Sequence, residues 1–232
     1  MVSCSKDEAA FDNSETGVAG STARFAVKNN YLYTVDNNSL NIYNVENPTN
    51  PVYVQKAQIG WDIETIFPKD SLLFFGSQSG MLIYSISNPT EPQFVTEFWH
   101  ARGCDPVVVD NGIAYVTLRS NNEWCGSAEN ELIVYSVKYL FAVSVIRHYP
   151  MTAPEGLGID DNLLFVCDNG LKVFDCTYPE NLQLIKHFDI NATDVIPVNG
   201  KLLVIGSDGF YQYDYTGSEL ILISKIPVPR GN

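Results

Sequence analysis

One segment of this chain occurs twice. Asn47-Pro48-Thr49-Asn50-Pro51 returns as Asn88-Pro89-Thr90-Glu91-Pro92, an offset of 41 residues. Pro179 follows Phe174 by the same five positions that separate Pro48 from Tyr43 and Pro89 from Tyr84. Around these anchors, short β-rich runs recur five times, which marks a repeat architecture in which each unit buries its faces only against its neighbours. One run of each copy is 31–33, 72–74, 113–115, 163–165 and 202–204, and the next is 40–43, 82–84, 132–135, 171–174 and 210–213.

The joints between runs are turn chemistry. Asn29-Asn30, Asn111-Gly112, Asp161-Asn162 and Asn199-Gly200 separate first from second runs, and Asn169-Gly170 and Asp208-Gly209 separate second from third. Such dipeptides accept positive φ and suit the tight turns of antiparallel hairpins. A fourth extended run follows the Pro-rich loop, as in 52–55, 94–98 and 220–223. No window carries a long 3.6-residue period. Four antiparallel strands in about forty residues is the size of a propeller blade. The reading is all-β: a five-bladed β-propeller of four-stranded antiparallel blades, with repeats near 21–59, 60–100, 101–150, 151–189 and 190–228. The competing architecture is a sandwich of seven or more strands with accidental repetition.

Composition narrows the function. The 232 residues carry 14 Lys and Arg against 27 Asp and Glu, a net charge of −13, so a general binder of nucleic acid or anionic membrane is not expected. The hydrophobic fraction of 45% supports a sizeable core, and no apolar run is long enough to span a bilayer as a helix. Residues 1–20 read as a polar, aperiodic leader ahead of a single domain at 21–228.

Gly170 to Asp175, Met81 to Ser85 with Asn88-Pro89 behind it, and Leu132 to Tyr135 resemble the LVIVD repeat, found in bacterial secreted and surface proteins. The resemblance spans nearly all of 21–228 and is strongest in copies two and four. Copy three lacks the Asn-Pro and copy five has no following Pro. The resemblance implies a propeller outside the cytoplasm and implies no particular activity. In the leader, Val2-Ser3-Cys4 followed by Ser5-Lys6-Asp7-Glu8 resembles the end of a bacterial lipoprotein signal and the acidic surface-export signal of some Gram-negative bacteria. That implies acylation of Cys4 and an outer-membrane or cell-surface location, with the membrane engaged only through the lipid. The alternative is a chance cysteine in a tail.

Aligning the copies on Tyr33, Phe74, Tyr115, Phe165 and Val204 and stepping back ten positions gives Ala23, Glu64, Asp105, Glu155 and Asp194. In a closed ring, four carboxylates would surround the channel mouth. Two carboxylates about 6 Å apart repel by roughly 3 kcal/mol at an effective dielectric near 20, so the group needs a cation, donated hydrogen bonds or raised pKa values. Ca²⁺, with its many oxygen ligands, is one answer, held by Glu64, Asp105, Glu155 and Asp194. Arg24 beside Ala23 is another, and strand-entry capping without any ligand is a third. Trp61, Trp99 and Trp124 fall near the same rim, the last in an insertion from Arg119 to Asn130. They suit face stacking on a sugar or another ring, or they plug gaps between blades. His100 is the one histidine near the acids, whereas His148 and His187 belong to outer strands.

Cys104 and Cys125 both fall on the expected loop face, where a disulfide between them would pin the insertion. Cys167 and Cys176 flank the Asn169-Gly170 turn, with Cys167 facing Lys172, and read as two buried thiols. No zinc-like spacing, Gly-x-Ser-x-Gly element, phosphate loop or His-Glu-x-x-His occurs. The expected function is binding of a glycan, peptide or protein through the loop face, using Trp61, Glu64, Trp99, His100, Asp105, Trp124, Glu155, Asp194 and Arg24. Two alternatives stay open. One is a glycan hydrolase with Glu64 and Glu155 as its carboxyl pair and Asp105 or Asp194 adjusting a pKa. The other is a structural subunit of an envelope complex.

Overall fold

The computed structural model describes residues 20–99, 106–119, 130–217 and 219–228. Five four-stranded antiparallel sheets are arranged as blades in a propeller ring, each with its strands in sequential order. Blade one contains β1 (Phe25–Lys28), β2 (Tyr31–Val35), β3 (Ser39–Asn44) and β4 (Val52–Gln58). Blade two contains β5 (Ile63–Lys69), β6 (Leu72–Ser77), β7 (Gly80–Ser85) and β8 (Gln93–Trp99). Blade three contains β9 (Val107–Asp110), β10 (Ile113–Leu118), β11 (Glu131–Ser136) and β12 (Ser144–Pro150). Blade four contains β13 (Pro154–Asp160), β14 (Leu163–Asp168), β15 (Leu171–Asp175) and β16 (Gln183–Phe188). Blade five contains β17 (Asp194–Val198), β18 (Lys201–Gly206), β19 (Gly209–Asp214) and β20 (Ile221–Pro227). Five separate sheets exclude the sandwich.

The turn dipeptides act as expected at most joints. Asn29 and Asn30 lie at φ 50° and 62°, and Asn111-Gly112 and Asn199-Gly200 adopt the same left-handed pair, so each closes a two-residue hairpin whose twist matches its strands. Two joints differ. The turn ahead of β19 is Ser207-Asp208, with Gly209 paired to Gly206 in the ladder. At Asn169-Gly170, Cys167 stands opposite Leu171, one register step from the expected Lys172. Both Cys167 and Cys176 are nevertheless buried, unpaired thiols.

The third and fourth strands of every blade share a β-bulge at one position, beside Tyr43, Tyr84, Tyr135, Phe174 and Tyr213. A bulge adds local twist. Its recurrence bends each outer strand alike, so the blades nest. Where copy three lacks the Asn-Pro loop, a 3-10 turn at Leu140–Ala142 makes the connection instead.

The core is distributed among the junctions. Leu40, Ile42 and Tyr33 of blade one pack on Ile66, Leu73 and Phe75 of blade two. Phe74, Met81 and Ile83 meet Val107, Val116 and Tyr135. Tyr115, Leu132 and Val134 meet Leu157, Leu164 and Phe174. Phe165, Cys167 and Leu171 meet Leu202, Val204 and Tyr213. Each such side chain contributes about 1.5–3 kcal/mol by leaving water, which is how a chain with no central core stays folded.

The junction between blades five and one is built differently. Among the described residues no apolar cluster spans it. Phe25 is 58% exposed although Ile66, Val107 and Leu157, at the same ladder position, are buried. Ile205 is 42% exposed although Val35, Thr117 and Cys167 are buried. Near the axis, residues 20–23 cross from blade one as a polar strap. Ser21 and Thr22 donate to the two carboxylate oxygens of Asp194, and the Ala23 carbonyl accepts the Ile66 N–H.

Candidate functional site

Three kinds of connection meet on one face of the ring: those entering the innermost strands, those joining second to third strands, and the ends of the outer strands that lead into the next blade. Its candidate residues therefore come from loops held by rigid sheets.

Glu64 and Glu155 are equivalent. Each sits in a β-bulge at the start of an innermost strand, between Ile63 and Thr65 in β5 and between Pro154 and Leu157 in β13. Glu64 accepts a hydrogen bond from Gln78 Nε2 at 3.0 Å. Glu155 forms an ion pair with the Arg119 guanidinium. Asp194 does not occupy the third such position. In blade five Ile196 pairs with Leu203, as Phe67 pairs with Phe74 and Gly158 with Phe165. Leu203, not Val204, is thus the counterpart of Phe74 and Phe165, and Thr193 takes the place of Glu64 and Glu155.

One register step turns a strand residue to the opposite face. Asp194 is accordingly buried against blade four, where it accepts hydrogen bonds from Ser21 Oγ, Thr22 Oγ1 and the Val195 N–H. Burial raises its pKa, and these donors offset part of the rise. The expected ring of four carboxylates is therefore not uniform. Asp105 lies outside the described residues. Among the described residues, no group of three or more His, Cys, Asp or Glu side chains is gathered closely enough to hold a metal ion.

Strand-entry capping does occur, through a residue that the alignment did not single out. Asp168, at the end of β14, accepts the backbone N–H groups of Thr152 and Ala153 and pairs with Lys172 Nζ at 2.6 Å. Burial pushes its carboxyl up, but these donors win and hold it below the ordinary value. Arg24 donates to the Ile63 carbonyl at 3.4 Å, beside Glu64.

Two of the three tryptophans come together. Trp61, in the loop entering β5, and Trp99, at the end of β8, line one apolar groove of about 170 Å³ with Gly60, Leu82 and Phe98. Their exposures are 76% and 70%, so neither plugs a gap between blades. Glu97, exposed, lies on the groove's edge. The close approach of β7 to β8 shapes the floor, since a Cβ on Gly80 would fall 2.2 Å from the Phe98 carbonyl oxygen. Trp124, His100, Cys104, Cys125 and Cys4 lie outside the described residues. His148 pairs with Glu131 at 2.8 Å and His187 meets the Asn169 carbonyl at 2.8 Å, which makes both part of the outer sheet framework.

A second groove opens on the same face between blades three, four and five. It has a volume of about 450 Å³ and is lined by Arg119, Glu155, Asn169, Asp189 and Thr193, with Cys167 at its base. Sequence alignment missed Asn169 and Asp189 because both lie in connections, where the repeat has no register.

Comparison with known proteins supports the architecture. The LVIVD repeat model matches residues 19–57, which is blade one. No curated protein matches the sequence. Among solved structures, a functionally unknown protein from Desulfotomaculum acetoxidans superposes with a TM-score of 0.65 at 12% identity, covering 90% of this chain and 69% of its own. A putative 6-phosphogluconolactonase from Bacteroides fragilis gives 0.64 at 11% identity, covering 88% and 69%. The periplasmic gluconolactonase of Pseudomonas aeruginosa gives 0.59 at 13%, covering 86% and 68%. At such identities the likeness is one of fold alone.

Proposed function

We propose that this propeller, whose first blade matches the LVIVD repeat, is a binding module that takes a glycan on its loop face, in the groove between Trp61 and Trp99. The observation that carries the reading is the pair itself: two indoles, largely exposed, line one groove, and neither has an aromatic partner among the described residues. Large exposed rings are a standing disadvantage in water, and a ligand with a flat apolar face removes it. The C–H face of a pyranose has that shape, and its hydroxyls can reach the Glu97 carboxylate at the edge.

Hydrolysis gains no support from the carboxylates. Glycoside cleavage needs two carboxyl groups set on opposite sides of one bond. Glu64 is held by Gln78 and Glu155 by Arg119, each in its own blade-entry contact. The acylated Cys4 tether and a location on the cell surface belong to the same proposal. Mass spectrometry of the mature protein from a membrane fraction would find a lipid-modified N-terminal Cys4, and an unmodified soluble form would refute that part.

Binding is tested by screening the purified protein on a glycan array beside Trp61→Ala and Trp99→Ala. Each variant is expected to lose the wild-type signals while keeping the wild-type melting temperature. Retention of the full binding profile by both variants would overturn the reading, as would an array with no signal.

A further inference from the structure

We infer that the groove between blades three, four and five is a second binding site, built for a neutral polyhydroxylated molecule of mono- to disaccharide size. The inference extends the proposed glycan reading to a separate place and does not rest on Trp61 or Trp99, neither of which lines this groove.

The chemistry of the walls selects the ligand. Arg119 brings guanidinium donors, already partly engaged by Glu155. Glu155 and Asp189 bring carboxylate acceptors, and Asp189 is exposed with no hydrogen-bond or ion-pair partner among the described residues. Asn169 adds an amide that both donates and accepts. An anionic ligand would meet two carboxylates against one guanidinium, within a protein of net charge −13. A cation could satisfy the acceptors but would face the Arg119 charge and leave the donors idle. Hydroxyl groups both donate and accept, so a polyol answers every wall at once. A volume of about 450 Å³ admits one or two sugar rings.

The walls are also pre-set. Thr117 Oγ1 donates to the Glu155 carbonyl at 2.6 Å, fixing the bulge that presents the carboxylate. Asn191 is locked to Ser207 and Asp208 at 2.8 Å each, which orders the connection that carries Asp189. His187 holds the Asn169 carbonyl. Such a framework reduces the ordering a ligand must impose.

Backbone amide NMR on the full chain tests the site, with glucose, galactose, mannose, N-acetylglucosamine and cellobiose as probes, and gluconate and spermidine as charged controls. The expected result is shifts at Asn169, Gly170 and residues 189–193 with at least one neutral sugar. These shifts should persist in a Trp61→Ala/Trp99→Ala variant. Asp189→Asn should weaken them about ten-fold, the effect of losing one charge-assisted hydrogen bond. Glu155→Gln, which keeps the side-chain shape, should weaken them similarly. Shifts confined to the tryptophan groove, or no shifts with any neutral sugar, would overturn the inference. So would a preference for gluconate or spermidine. Failure of the tryptophan groove alone would leave the shifts at 189–193 in place, so the two readings fail separately.

Discussion

Ser21 Oγ donates to Asp194 Oδ1 at 3.0 Å and accepts the backbone N–H of Leu157 at 2.7 Å, joining the start of the described chain to residues 173 and 136 positions away. One buried hydroxyl thus links blade one's lead-in to the innermost strands of blades four and five. Four junctions of the ring rest on apolar packing, whereas among the described residues this one rests on two hydroxyls, a carboxylate and a backbone amide.

Removal of that hydroxyl should be felt. Ser21→Ala leaves the Leu157 N–H without a partner in a buried place and takes one of its two donors from Asp194 Oδ1. The expected loss is about 1–3 kcal/mol, because an unsatisfied buried polar group costs more than the bond it made. Denaturant unfolding of the variant measures it, and a change below about 0.5 kcal/mol would mean the strap is not ordered in solution.

Asp194 sets a pH dependence with an unusual sign. Burial raises its folded pKa above the ordinary 3.8, so the folded state binds the proton more tightly than the unfolded chain. Its contribution is full below 3.8 and is lost as pH rises through the folded value. Asp194→Asn should therefore gain on the wild type as pH is raised from acid to neutral, read from paired melting curves. Asp208 runs the other way. Lys225 and then Tyr211 bond its carboxylate and lower its pKa to about 2, so its contribution is present above 3.8 and fades as pH falls toward about 2. Lys225→Met should bring the Asp208 titration, followed by NMR, back toward 3.8.

Blade packing at the axis leaves no room for a methyl group at Gly156, where a Cβ would lie 2.1 Å from Asp194 Oδ1 and 2.8 Å from its Cα. Gly156→Ala should destabilise by about 1–3 kcal/mol or more, since overpacking against backbone cannot relax by a rotamer change. An unaltered melting temperature would contradict the close approach of β13 and β17.

The two described thiols should be silent. Burial pushes Cys167 well above the ordinary thiol value and also raises Cys176. Neither should react with a thiol reagent in the native protein at neutral pH, and both should react fully in denaturant.

Much of the architecture was written in local chemistry. Asn-Gly and Asn-Asn pairs between apolar runs named the hairpins because few residues accept their backbone geometry. The fifth copy shows where such reading fails. Leu202, Leu203, Val204 and Ile205 are all apolar, so no alternation says which ones face blade four. The pairing of Leu202 with Tyr213 decides it, and the one-residue difference moves Asp194 from rim to interior. The strap escaped for a different reason. Ser21 and Asp194 are ordinary residues in ordinary contexts, and only closure of the ring brings them together. At the site, the rim position of Trp61 and Trp99 was legible from the repeat. That Trp61 and Trp99 line one groove, and Asn169 and Asp189 another, depended on loop paths that a repeat does not encode.

The polar strap also sets how the molecule would yield to force. Among the described residues, tension drawn from residue 20 is met first by Ser21 and Thr22, short contacts that break over a small displacement, before any sheet is loaded. The ring is therefore built to spring apart at one hinge-like break, turning a disc into an open arc whose four greasy joints remain intact. Under such a load, the weak point is the place where Ser21 and Thr22 touch the fifth blade.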